Sequence, residues 1–190
     1  MTERTPELIA RTSSVDETRD LAAALAELAR PSDLLVLVGD LGAGKTAFTQ
    51  GFGRGLGIDE QITSPTFALV RSYTGRLDLY HLDVYRLEQV AEALDLGLSE
   101  LLDDGSVTII EWGDTIAPVL PHDYLEVHLR FEDADRVDAR TVELRPVGAR
   151  WAARVRALGA AVAPWTGEGA GGDVGADHRE GGSGAGDHQC

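Results

Sequence analysis

The sequence predicts an α/β fold, a three-layer sandwich with a mixed sheet and helices on both faces, and three observations carry that reading. Leu34-Leu-Val-Leu-Val38 is a continuous apolar run of the kind found in strands buried on both sides, and Val107-Thr-Ile-Ile110 is a second. Segments of helical spacing alternate with these strands. A glycine-rich loop joins the first run directly to a helix.

The elements follow in order. Ser14-Val-Asp-Glu17 is a capping box opening the first helix, with Leu21, Leu25 and Leu28 on one face and Pro31 beyond its end. Residues 33–38 form the first strand, and 39–44 a loop. From Lys45 to about Leu56 a helix carries Phe48, Phe52 and Leu56 four apart; Gly51, Gly53 and Gly55 lower its propensity without erasing its period. Residues 67–73 and 77–85 read as two strands joined by a turn at Thr74-Gly75. Short helices are expected between Glu88 and Leu102, then the strand at 107–110 ending in Glu111-Trp112. Strands at 124–131 and 140–144 and a closing helix at 149–162 complete the chain's elements, with no internal repeat.

From about Thr166 to Cys190 the composition falls to Gly, Ala, Asp, Glu, His and Ser, which buries too little apolar surface to offset its ordering entropy. The expected organisation is one domain over residues 1–165 and a disordered tail over 166–190. His178 and His188 lie in that tail, far apart and with no cysteine close by, so they do not read as a metal tract.

Composition bounds the function. No run of about 18 apolar residues exists to span a membrane. Met1-Thr-Glu-Arg-Thr-Pro6 carries no apolar signal region, and Cys190 is the lone cysteine, so a reducing, cytoplasmic location is expected. Net charge is −15, which argues against a broad basic face gripping nucleic acid. Work on RNA would run through a partner. Of the 17 lysine and arginine residues only Lys45 is a lysine. Where arginine serves for every other cation, the one ammonium marks a position needing a compact point charge.

Lys45 falls in Gly39-Asp-Leu-Gly-Ala-Gly44-Lys45-Thr46, which fits G-x-x-x-x-G-K-[ST] at every fixed position, after a buried strand and before a helix. This is the phosphate loop of a P-loop NTPase-like fold. Its cradle residues are Leu41, Gly42, Ala43, Gly44, Lys45 and Thr46. Backbone N–H groups turn in around phosphates, the helix N-terminus adds partial positive charge, Lys45 reaches the β/γ-phosphates, and the Thr46 hydroxyl can ligate Mg²⁺. Lys45 is expected at the exposed mouth of the site. The carboxylates for metal and water should lie at the carboxyl ends of neighbouring strands, which singles out Asp83 and Glu111. Ser64-Pro65-Thr66, with Pro65 holding Ser64 extended, is either a structural turn or a switch segment sensing a γ-phosphate.

The P-loop, then Ser64-Pro-Thr-Phe67, then Tyr80-His-Leu-Asp83-Val-Tyr-Arg86-Leu, then Glu111-Trp112, in this order and spacing, resemble the bacterial TsaE (YjeE) ATPases over about residues 10–160. The resemblance implies ATP and Mg²⁺ as ligands and slow hydrolysis by the isolated protein. It implies a role in the threonylcarbamoyl modification of tRNA adenosine next to the anticodon, with the threonylcarbamoyl-transferase subunit and its companion as partners. It further implies that Thr46 and Glu111 are metal-associated, that Asp83 sits beside metal and water, and that Trp112 lines the site. Thr18 and Arg140 match stretches near the nucleotide in that family. The Gly-rich tail has no counterpart in it.

Other classes meet obstacles in the residues. A GTPase needs Asn-Lys-x-Asp, and the one lysine is already in the P-loop. A small-molecule kinase would carry an arginine-rich lid, and residues 114–123 contain no arginine. A non-hydrolytic nucleotide sensor shares every feature above, and only turnover separates it from an ATPase.

Overall fold

The computed structural model describes residues 7–65, 68–85, 104–132 and 136–167. Seven strands form one mixed sheet: β1 (Leu8–Thr12), β2 (Leu34–Val38), β3 (Val70–Tyr73), β4 (Leu79–Asp83), β5 (Val107–Glu111), β6 (Tyr124–Phe131) and β7 (Arg140–Val147). Their spatial order is β1-β7-β6-β2-β5-β4-β3. β2 is central and runs parallel to both β5 and β6, and β4 runs parallel to β5. β1, β3 and β7 join antiparallel to their neighbours. The continuous apolar run of β2 is explained by this position, since Leu34 to Leu37 are all at most 2% exposed.

Alternate residues of the central strands meet two layers. Leu35, Leu37 and Ile109 pack with Leu21, Phe48 and Leu158 of the helices on one face. These belong to α1 (Val15–Ala26), α2 (Lys45–Gly55) and α4 (Val155–Val162). Leu34, Val36 and Ile110 face the other way and are covered by Ile116 and Leu120, from the 3-10 helix Gly113–Val119 and the residue after it. The three-layer α/β reading therefore holds. The second layer is, among the described residues, a 3-10 helix. The helices expected between Glu88 and Leu102 lie outside the described residues, as do Thr66, Phe67 and tail residues 168–190.

Local chemistry sets the element ends. Ser14 caps α1, its Oγ accepting from Glu17 N at 3.1 Å, while Glu17 Oε2 accepts from Ser13 N at 2.6 Å. The glycines of α2 have a packing reason. A Cβ on Gly51 would lie 2.1 Å from the Arg19 carbonyl oxygen, so α1 and α2 cross at backbone contact. Gly51→Ala is expected to cost about 1–3 kcal/mol by overpacking, lowering Tm by roughly 3–10 °C for a chain of this size. A parent-like melting curve would contradict that close crossing.

Three expectations from the sequence change. Residues Leu8–Thr12, assigned no element above, form the edge strand β1; only Ala10 and Thr12 are buried there, too short a pattern to stand out. The strands expected at 67–73 and 77–85 shorten to β3 and β4, though they do pair antiparallel. The single closing helix is two, α3 (Ala149–Ala152) and α4, separated at Ala153 and Arg154. Arg154 is buried, and its Nη1 donates to both carboxylate oxygens of Asp33 at 2.9 and 2.8 Å. Its guanidinium also lies 4.0 Å above the Trp151 ring. That long-range pairing outweighs the helical period. No described helix is long and apolar enough to cross a membrane.

Candidate functional site

Parallel pairing brings the carboxyl ends of β2, β5 and β4 to one edge. The chain builds β4 and β5 on one side of β2 and β6 on the other, so the loop after β2 sits where strand order reverses, the usual ligand position in open α/β sheets. Asp83 lies directly opposite Glu111 in the β4–β5 register, and Glu111 opposite Leu37 in β5–β2. A cleft of about 430 Å³ at this edge is lined by Leu41, Gly42, Gly44, Lys45, Thr46 and Ala47 of the loop and helix start, with Ser64, Asp83, Tyr85, Glu111 and Trp112 around it.

The loop backbone is built for an anion. Gly39 and Gly44 take φ of +151° and +104°, values that side-chain-bearing residues rarely adopt, and a Cβ on Gly39 would lie 2.3 Å from the Leu129 carbonyl oxygen of β6. α1 starts with a serine cap and two acidic residues in its first turn; α2 has neither a side-chain cap nor an acid there. Its first-turn N–H groups and partial positive charge are left for a ligand.

Lys45 departs from expectation. It is 5% exposed, not at an open mouth. Its Nζ donates to the Gly39 and Asp40 carbonyls at 2.6 and 2.9 Å and lies 3.5 Å from the centroid of the Trp112 ring. The Trp112 backbone is left-handed at φ 62°, which turns the chain out of β5, and Tyr85 packs on its ring at 4.9 Å. Burial pushes the Lys45 ammonium below the ordinary lysine range, while Glu111, Asp83, Asp40 and Asp114 pull it back part of the way.

The two carboxylates play different structural parts. Glu111 Oε1 accepts from the Thr46 hydroxyl at 2.9 Å and contacts His81 Nε2 at 2.8 Å. Asp83 Oδ2 accepts from the Ser64 hydroxyl at 3.0 Å and Oδ1 from Tyr85 N at 3.0 Å. A divalent cation fits this donor set. A hydroxyl whose proton is held by a carboxylate offers its lone pair outward, and both are hard oxygens. Asp83 and Glu111, both lining the cleft, would also repel a polyphosphate unless a cation accompanied it.

Of the other residues picked from sequence, Gly42 and Ala43 are held from behind by Arg140. Its Nε donates to Ala43 O at 2.9 Å and Nη2 to Gly42 O at 3.2 Å, while Nη1 donates to Val137 O and Ala139 O. Arg140 thus braces the loop backbone. Thr18 is 1% exposed, bonded to the Thr12 hydroxyl at 2.8 Å and to Ser14 O, and does not line the cleft. Pro65 closes the described part of the Ser64–Thr66 segment, and Thr66 lies outside the described residues. Sequence reasoning missed His81, Ala47 and Tyr85. His81 was detectable, since it lies two before Asp83 on a strand and so shares its face. His81 Nδ1 is buried with no hydrogen-bond partner among the described residues.

Comparison with known proteins places the chain among relatives of one family. The family model described as "Threonylcarbamoyl adenosine biosynthesis protein TsaE" matches residues 12–142. The chain is 42% identical over 142 residues to the tRNA threonylcarbamoyladenosine biosynthesis protein TsaE of Bacillus subtilis strain 168, covering 74% of this chain and 87% of that one. It is 41% identical over 139 residues to the protein of the same name from Streptomyces coelicolor, covering 70% and 93%. The crystal structure of YdiB from Bacillus subtilis superposes with a TM-score of 0.71 at 36% identity, over 82% of this chain and 95% of that one. With the match spanning the P-loop, Asp83, Glu111 and Arg140, the chain belongs to the TsaE family.

Proposed function

We propose that this protein is a Mg²⁺-dependent ATP-binding protein and slow ATPase that supports threonylcarbamoyl transfer to tRNA adenosine through the transferase subunit and its companion. The observation that carries the reading is the 2.9 Å bond from Thr46 to Glu111, at the uncapped start of the helix that opens from the glycine loop. The relatives' names, all for tRNA threonylcarbamoyladenosine biosynthesis, support the pathway.

Mg²⁺, which Thr46 and Glu111 would hold, would supply positive charge to the phosphates when bound. The chain's own residues do the rest. Backbone N–H groups of residues 42–47 hold phosphate oxygens, with Arg140 bracing two of the carbonyls behind them. Lys45 supplies the compact charge. Thr46 would offer its hydroxyl lone pair to the metal while its O–H remains hydrogen-bonded to Glu111 Oε1. Asp83, on the adjacent strand end, orients the attacking water. The bond it accepts from Ser64 links the start of the candidate switch segment to this carboxylate.

A ligand shifts such an equilibrium only through differential contact, and the γ-phosphate is the group that differs. Association with the transferase pair is therefore expected to be tight in ATP and weaker in ADP. The isolated chain, at net charge −15, is expected to bind no tRNA at physiological salt. Pull-down in each nucleotide, with single-turnover hydrolysis in the presence of partners, tests this. Partner affinity indifferent to nucleotide, or sub-micromolar tRNA binding by the isolated chain, would contradict it. Absent hydrolysis with intact binding would leave a sensor rather than an ATPase.

A further inference from the structure

We propose that His81 is a positioning residue that locks Glu111 for metal binding through its Nε2–H. The inference rests on the nucleotide–metal reading above and names a residue that reading does not use. His81 is wholly inaccessible to solvent, and its Nε2 lies 2.8 Å from Glu111 Oε1. A carboxylate oxygen carries no hydrogen and only accepts, so the contact puts the hydrogen on Nε2. Nδ1 is then left buried without a partner among the described residues. His81 shares its face of β4 with Leu79 on the apolar core side and Asp83 on the side of the cleft. An aliphatic side chain would fill that position without an orphaned nitrogen, so packing alone gives no reason for a histidine. The Glu111 contact does.

Two donors on Oε1 fix the carboxylate rotamer. Thr46 approaches from the start of α2 and His81 from the neighbouring strand. Oε2 is the oxygen not committed to either donor, on a residue that lines the cleft. Without His81, Glu111 would be held by Thr46 alone, the very hydroxyl that the metal also needs. Partners of this kind change metal affinity by roughly 10- to 100-fold when removed.

The test uses the full chain and three variants, His81→Leu, His81→Gln and His81→Asn. ATP affinity is measured calorimetrically across a Mg²⁺ series and again in EDTA, with Tm recorded for each. His81→Leu is expected to raise the half-saturating Mg²⁺ concentration roughly 10- to 100-fold, with ATP affinity in EDTA and Tm at or above parent values. The glutamine amide nitrogen reaches the position of Nε2 and is expected to restore most of the loss; the asparagine amide stops short and is not. If His81→Leu fails to fold, the glutamine–asparagine contrast decides the same question. Parent-like Mg²⁺ dependence in His81→Leu, or equal deficits in glutamine and asparagine, overturns the inference while the functional reading stands. No Mg²⁺-dependent ATP binding by the parent overturns both.

Discussion

Lys45→Ala is expected to abolish ATP turnover, a loss of at least about 10²- to 10³-fold, the scale of removing one preorganised charge partner from a transition state. The buried setting sharpens the expectation. Nζ is fixed by two loop carbonyls and the Trp112 ring, so its charge is aimed before ligand arrives. Loss of the ammonium leaves the Gly39 and Asp40 carbonyls without that donor, so a modest drop in Tm is expected beside the loss of turnover. Lys45→Arg is expected to fail as well, because a planar fork does not fit a site whose contacts are 2.6 and 2.9 Å from one nitrogen. Steady-state hydrolysis and nucleotide titration check both variants. Near-normal turnover by either would remove the P-loop assignment.

The strand-end carboxylates carry the second large effect. Asp83→Ala and Glu111→Ala are each expected to lower kcat by roughly 10²-fold or more, the range for a lost acid–base or metal-orienting group. Their partners separate the signatures. Glu111→Ala releases the Thr46 hydroxyl and His81, so it should raise the Mg²⁺ requirement and cost some stability through a second orphaned imidazole nitrogen. Asp83→Ala releases Ser64 and Tyr85 N, so it should blunt the difference between ATP and ADP in partner association. Hydrolysis at the parent rate by both variants, with partners present, would mean the site is drawn in the wrong place.

Much of the site was legible because its chemistry is local. Residues 39–46 are consecutive, so the glycine spacing and the start of the helix show within one short window. Asp83 and Glu111 follow from a rule about strand ends, which needs only the strands. What the sequence left open depended on distant partners. Lys45 reads as a mouth residue from sequence, whereas in the fold Trp112 lies over it, a placement set by a left-handed turn after β5. Arg140 brings its guanidinium to loop carbonyls almost a hundred positions earlier in the chain, a pairing that no window of sequence contains.

By itself, then, the amino-acid sequence determined the fold class, the glycine loop between β2 and α2 and the pair of strand-end carboxylates, because apolar period, glycine spacing and capping chemistry act over a few residues. The tertiary structure alone decided the strand order that sets Asp83 beside Glu111, the edge strand at Leu8–Thr12 and the break before α4. It also decided which carboxylate holds Thr46, the Arg140 brace behind the loop, and the His81 nitrogen beneath Glu111. Register between strands and pairing across the core are set by the sum of many weak contacts between remote segments, and that sum exists only once the chain has folded.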